Sequence, residues 1–241
     1  MDKSIENKSG EVIKSEELDK SKVMLVFDYD GTIQETMKIY APAILDIAKR
    51  LRTIYGVQVE NPSYERMESW LGLRNDEMWA AFAPELPADA RAAAAARVGA
   101  YMRMLVRDGA DPWYAGARET LDKLKEQGYR MIILSNSDRE YAEFNRRRFN
   151  TDKWFEKYID CGSWDWQPKA DVLSSIISDE PEMTYVMIGD RFNDQEAAVK
   201  NDILFIACDY GYAKSGELDE ADARANSFVE LSDIIARLTD C

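Results

Sequence analysis

Two carboxylates two residues apart, in Asp28-Tyr29-Asp30-Gly31-Thr32, stand directly behind the apolar run Val23 to Phe27. That spacing puts both on one side of the chain if strand geometry continues, and Gly31 lets the backbone turn sharply behind them. A second pair, Asp190 and Asp194 in Gly189-Asp190-Arg191-Phe192-Asn193-Asp194, follows the apolar run Val186 to Ile188. Carboxylates crowded at strand ends repel one another unless a cation or a shared proton intervenes. Four hard oxygen donors of this kind suit octahedral Mg²⁺ completed by waters and an anionic ligand. The plainer reading is structural, with an acid capping the strand end and Asp194 capping the helix that follows.

Two further segments carry polar groups at comparable positions. Ser135-Asn136-Ser137 closes the apolar run Met131 to Leu134, and its hydroxyl and backbone amides could cradle a phosphate or simply cap the helix opening at Asp138. Lys169 opens a helical stretch, Ala170 to Ile177, behind a loop containing Trp164 and Trp166. A lone Lys at a helix start is ordinarily solvated, and the two Trp could line a partner surface or the cap contact but read more readily as packing beside the sheet.

Elements that would position these groups are legible in the hydrophobic pattern. Val23 to Phe27, Met131 to Leu134, Tyr185 to Ile188 and Ile203 to Ala207 are short continuous apolar runs, the pattern of strands buried on both faces. Helix-like sequence separates them, including Arg118 to Gln127 and Asp194 to Lys200, so the expected class is α/β with a doubly wound parallel sheet. Ligands in such sheets bind beyond the carboxyl ends of the strands, where all these polar groups fall. Residues 37–112 are far too long for a βα connection of ~2 to 6 residues. Their pattern is helical over Met37 to Tyr55, Tyr64 to Trp70, Asn75 to Phe82 and Ala88 to Arg107. The expected organisation is a polar N-terminal tail (1–22), an α/β core (23–36 and 113–241) and an inserted helical cap (37–112).

Composition narrows the chemistry. The 241 residues are 46% hydrophobic and 32% charged, enough apolar mass for a packed core. A net charge of −14 disfavours nucleic acid or an anionic membrane surface as partner, so an anionic substrate would need a local cation. The absence of His excludes Ser-His-Asp triads, Cys-His dyads and His-ligated zinc, leaving acid/base work to carboxylates. Cys161, Cys208 and Cys241 suggest neither a disulfide framework nor a zinc site; Cys161 and Cys208 read as small buried hydrophobes. With no apolar run of ~18 residues, the expectation is a cytoplasmic protein, monomer or homodimer.

In order and spacing, Asp28 to Thr32, Ser135, Lys169 and Gly189 to Asp194 resemble the four motifs of the haloacid dehalogenase-like superfamily. Specifically, the chain looks like its phosphatases with a small helical cap, most closely the phosphoglycolate phosphatase-like group, over residues 23 to about 240. The resemblance implies a Mg²⁺-dependent hydrolase acting on a small-molecule phosphoester. Asp28 would be nucleophile and metal ligand, Asp30 the general acid/base and counted with the metal site, and Asp190 a metal ligand. Asp194 would support the metal shell or Lys169, Ser135 and Asn136 would bind phosphate, and Lys169 would neutralise the phosphoryl group and the nucleophile. Relatives often carry Lys-Pro at the third motif, whereas the order here is Gln167-Pro168-Lys169; the need for a cation selects Lys169 over Gln167. In Gly72-Leu73-Arg74, where relatives place a specificity loop, Arg74 is a candidate for holding a substrate carboxylate such as that of 2-phosphoglycolate. Asp30 argues against dehalogenation, since the superfamily's dehalogenases lack that second acid. A phosphomutase of the β-phosphoglucomutase type and a non-catalytic binding protein on the same fold are the alternatives.

Overall fold

The computed structural model describes residues 19–73 and 75–239, with the backbone of Ile5–Glu6 and Val12–Ile13. Arg74, Cys241 and most of the N-terminal tail lie outside the described residues. Ile5–Glu6 (β1) pairs antiparallel with Val12–Ile13 (β2) in a segment whose sequence suggested no strand.

A six-stranded, all-parallel sheet organises the rest, in the order β5-β4-β3-β6-β7-β8. Its strands are β3 (Val23–Phe27), β4 (Arg130–Ser135), β5 (Lys157–Asp160), β6 (Thr184–Gly189), β7 (Leu204–Cys208) and β8 (Ala223–Ala225). The four apolar runs are the four inner strands. The edge strands β5 and β8 escaped the hydrophobic pattern for a physical reason. Each has one bare edge, Lys157-Tyr158-Ile159-Asp160 is only partly buried, and Ala223–Ala225 is three residues long.

Side chains alternate across this sheet with a period of two. Leu25, Phe27, Met131, Ile133, Val186 and Ile188 face one apolar cluster, while Met24, Val26, Ile132, Leu134, Tyr185 and Met187 face the other. The first cluster also takes in residues of α1 (Met37–Thr53), α5 (Ala117–Glu126) and α9 (Leu231–Thr239), the second residues of α7 (Lys169–Asp179) and α8 (Phe192–Lys200). Each fully buried Leu, Ile, Val or Phe in these layers is worth roughly 1.5–3 kcal/mol of transfer free energy.

Between β3 and β4 the chain forms α1, α2 (Tyr64–Glu68), α3 (Asn75–Phe82) and α4 (Ala88–Arg107), close to the helical stretches read from the sequence. The Ala-rich α4 presents Ala94, Val98, Met102 and Val106 as one buried i, i+4 stripe, which packs against α1. Both connections to these helices run side by side. The Glu35 amide donates to the Pro112 carbonyl at 2.8 Å, the Tyr114 amide donates to the Ile33 carbonyl at 3.1 Å, and Gln34 bridges antiparallel to Trp113.

Candidate active site

Strand register brings the distant motifs together. Phe27 at the end of β3 lies level with Ile133 of β4 on one side and Ile188 of β6 on the other. The next residues beyond that line are Asp28 in the centre, Ser135 closing β4, and Gly189-Asp190 leaving β6. The Asp28 amide donates to the Ile188 carbonyl at 2.8 Å, so the backbone that carries this carboxylate is itself fixed to the neighbouring strand.

Lys169 ties the cluster together. Its ammonium donates to Asp28 Oδ1 and Asp194 Oδ1, both at 2.6 Å, with all three side chains almost wholly buried. Pro168 precedes α7 and Lys169 is its first residue, which directs the side chain toward the strand ends instead of along a solvated helix face. Asp194 Oδ2 accepts the amides of Asp190 and Arg191, and so braces the turn that presents Asp190. Asp190 accepts from Thr32 Oγ1 at 3.1 Å and from the Tyr212 amide at 2.8 Å. Ligand oxygens of Asp28, Asp190 and Asp194 lie within 4.8 Å of one another, all buried.

This burial shapes the charges. Asp28 is pushed up to about 7 by loss of solvation; Lys169 opposes that rise, and the carboxylates of Asp194 and Asp30 add to it. Burial likewise holds Asp190 well above the usual carboxylate range, reinforced by Asp28 and Asp194. For Lys169, burial works against the charge, but Asp194 and Asp28 outweigh it and keep the ammonium firmly protonated. Three buried carboxylates against one ammonium, with clustered hard oxygens, form a donor set that could hold a metal ion.

Asp30 stands apart from that trio. The sequence reading grouped it with the metal ligands, yet its Oδ1 accepts from Thr36 Oγ1 at 2.5 Å, Tyr141 OH at 2.6 Å and Gln34 Nε2 at 3.2 Å. Gly31, at φ +95°, lets the chain curl back immediately after Asp30, which brings Gln34 and Thr36 onto its carboxylate. Burial raises the Asp30 pKa, while the Thr36 and Tyr141 hydroxyls oppose the rise. Thr36, Gln34 and Tyr141 were missed in the sequence because nothing local links Asp30 to a tyrosine on α6 (Arg139–Phe149).

Gly31 has a second duty, since a Cβ there would overlap the Asp190 carboxylate. Gly31→Ala is therefore expected to destabilise the fold by at least ~2 kcal/mol, combining left-handed strain with the clash. For a chain of this size that is a melting temperature lower by roughly 4–8 °C. An unchanged melting curve would show that the Asp190 loop yields freely.

Ser135, Asn136, Asp28, Asp30, Lys169 and Asp194 all line one small cavity of about 40 Å³. The same cavity is bounded by Gly72, Arg191 and Asn193, which hold the α2–α3 connection against the core. Arg191 donates to the Leu71 carbonyl and to Glu217 Oε1, and Asn193 Nδ2 donates to the Gly72 carbonyl at 3.2 Å. Arg191 and Asn193 are the unspecified positions of the Gly-Asp-x-x-x-Asp motif, so their pattern alone carried no hint of this contact. Trp166, read more readily as packing beside the sheet than as a cap contact, lines a cavity beneath the inserted helices, while Trp164 packs partly buried on the core. Cys161 and Cys208 are free and buried, as small hydrophobes would be. Among the described residues no helix is long and apolar enough to cross a membrane.

Several solved structures share this architecture. A predicted phosphoglycolate phosphatase from Haemophilus somnus superposes with a TM-score of 0.72 at 19% identity, covering 88% of this chain and 97% of that one. A haloacid dehalogenase-like family hydrolase from Streptococcus pneumoniae gives 0.71 at 19% identity, with coverage of 89% and 99%. CbbY from Rhodobacter sphaeroides, solved in complex with phosphate, gives 0.70 at 21% identity, with coverage of 86% and 95%. Identities this low establish a common fold and leave the chemistry to the site. No curated protein matches the chain. The family profile described as haloacid dehalogenase-like hydrolase matches residues 24–202, a span that contains the Lys169-bridged carboxylates as well as the inserted helices, and the chain belongs to that family.

Proposed function

We propose that the protein is a Mg²⁺-dependent phosphatase that hydrolyses a small-molecule phosphomonoester through an aspartyl-phosphate on Asp28. One observation carries the reading: a buried ammonium, Lys169, bridges Asp28 and Asp194 at 2.6 Å beside Asp190. A carboxylate can attack an anionic phosphorus only where positive charge offsets the mutual repulsion. Asp28 and Asp190 would hold the cation, with Asp194 as support, because Lys169 and two backbone amides already occupy three of its four lone-pair positions. When bound, Mg²⁺ supplies charge stabilisation to the phosphoryl oxygens.

In the first step an Asp28 oxygen forms a bond to phosphorus as the ester P–O bond breaks, and Asp30 gives its proton to the departing alkoxide. Its raised pKa suits it to hold that proton. In the second step Asp30 takes a proton from water, the water oxygen attacks the aspartyl-phosphate, and phosphate leaves with Asp28 regenerated. Ser135 and Asn136, which line the same small cavity, would donate to phosphoryl oxygens. Selection of 2-phosphoglycolate would depend on Arg74.

Phosphate release from a panel of phosphomonoesters, with Mg²⁺ and then with excess chelator, tests this reading. Release that requires the metal and no bisphosphate activator is expected; equal release in chelator would overturn it, and a bisphosphate requirement would point to a mutase.

Proton linkage gives a second test, with Asp28 supplying the sign. A folded-state pKa near 7, against 3.8 unfolded, means that the folded protein holds an extra proton between those values. Stability of the metal-free protein should therefore fall as pH rises from 5 to 7, by up to ~1.4 kcal/mol per pH unit for one such group. Asp190, also raised, acts in the same direction. Thermal melts in chelator should show the decline, and added Mg²⁺ should raise the melting temperature more at pH 8 than at pH 5. A flat profile in chelator would contradict the buried-charge account.

A further inference from the structure

Beyond Asp30 a second cavity of about 210 Å³ opens beneath the inserted helices. It shares Asp30, Gly72 and Asn136 with the small phosphate-sized cavity, so a phosphoester spanning both would have its bridging oxygen beside Asp30. Its walls are Tyr40 of α1, Trp70, Trp79 of α3, Val98 and Met102 of α4, and Trp166. Trp166 is held at φ +56°, directly after Asp165 at +53°, a conformation that bulky side chains rarely adopt and that surrounding structure must impose.

Polar side chains in this wall are mostly committed elsewhere. Thr36 and Tyr141 donate to Asp30, Asp138 caps α6 through the Tyr141 amide, and Arg103 pairs with Glu140 at 2.9 Å. Of the buried side-chain groups that lack a partner among the described residues, two belong to this wall, Trp79 Nε1 and Ser137 Oγ. A sugar or a second phosphate here would place several hydroxyls or a charge against indole, thioether and valine, each unmatched polar group being costly. An aromatic ring fits, since an apolar protein cavity of about 150 Å³ is enough to bind benzene.

Resting on the phosphatase reading above, we propose that the alcohol released is apolar and compact, an aryl-alkyl or branched aliphatic group carrying at most one or two hydrogen-bonding atoms. Such a group stacks among Trp70, Trp79 and Trp166 and presents an acceptor to Trp79 Nε1 or Ser137 Oγ.

The test compares 2-phenylethyl phosphate, glycerol 3-phosphate, 2-phosphoglycolate and acetyl phosphate as substrates with Mg²⁺. The expected kcat/KM for the phenylethyl ester exceeds those for the glycerol and glycolate esters by at least about 30-fold. Tryptophan fluorescence titration of the Asp28→Asn protein should give the same order of Kd. Val98→Thr, nearly isosteric, should shrink the phenylethyl-to-glycerol preference by about 5-fold or more. Equal or inverted preference, in turnover or in Kd, overturns the apolar pocket while leaving the phosphatase intact. Release from none of the four, acetyl phosphate included, instead overturns the phosphatase reading.

Discussion

Asp28→Asn is expected to lower phosphate release by at least ~10³-fold, a loss of about 4 kcal/mol of transition-state stabilisation, while leaving the fold intact. The amide keeps the size of the carboxylate, and the backbone beneath it stays anchored through the Asp28 amide to the Ile188 carbonyl. What disappears is the oxygen able to bond phosphorus. Stability should move the other way. Since the surroundings raise the Asp28 pKa to about 7 despite Lys169, they disfavour the anion on balance. At pH 8 in chelator, the variant should therefore melt at or above the wild-type temperature, and its decline in stability between pH 5 and 7 should be shallower. Turnover within tenfold of wild type would remove Asp28 as nucleophile; a melting temperature well below wild type would show that its carboxylate serves chiefly as the counter-ion of Lys169.

The residues that such an experiment probes were legible in the sequence to different degrees, and the differences have physical causes. Inner strands announce themselves because a strand covered on both faces must be apolar throughout, as Val23–Phe27 is. Edge strands are freed from that demand, which is why Lys157–Asp160 and Ala223–Ala225 passed unnoticed. Asp28, Asp190 and Asp194 could be grouped because each follows such a run and strand register does the rest. Asp30 could not be placed by the same rule, since its partners Gln34 and Thr36 reach it only because the chain curls back after Gly31, and Tyr141 reaches it from a distant helix. Long-range partners set by helix packing leave no local pattern: Tyr141 lies 111 residues from Asp30, and Arg191 meets the Leu71 carbonyl 120 residues away. Trp166 stayed open between the cap contact and packing beside the sheet, because a loop's path, unlike a strand's, is not written in hydrophobic periodicity.

Lys169→Met should separate the two duties of the ammonium, which holds buried carboxylates together and offsets charge during phosphoryl transfer. Met preserves the length and apolar stem but leaves Asp28 and Asp194 facing each other without a cation. Removing one partner from a buried ion pair commonly costs ~3–5 kcal/mol, so the metal-free variant should melt well below wild type at pH 8. Lowering the pH to 5 lets Asp28 take up a proton, and much of that difference should vanish. Saturating Mg²⁺ should also narrow the gap at pH 8, because added positive charge relieves the same repulsion. Turnover is the discriminating readout. If Lys169 only maintains the structure, metal that restores the melting temperature should restore kcat with it. If the ammonium also lies against the transferring phosphoryl group, kcat should remain ~10²–10³-fold low in the refolded, metal-loaded variant. Recovery of kcat to near the wild-type value would confine Lys169 to scaffolding and return the cationic role to the metal alone.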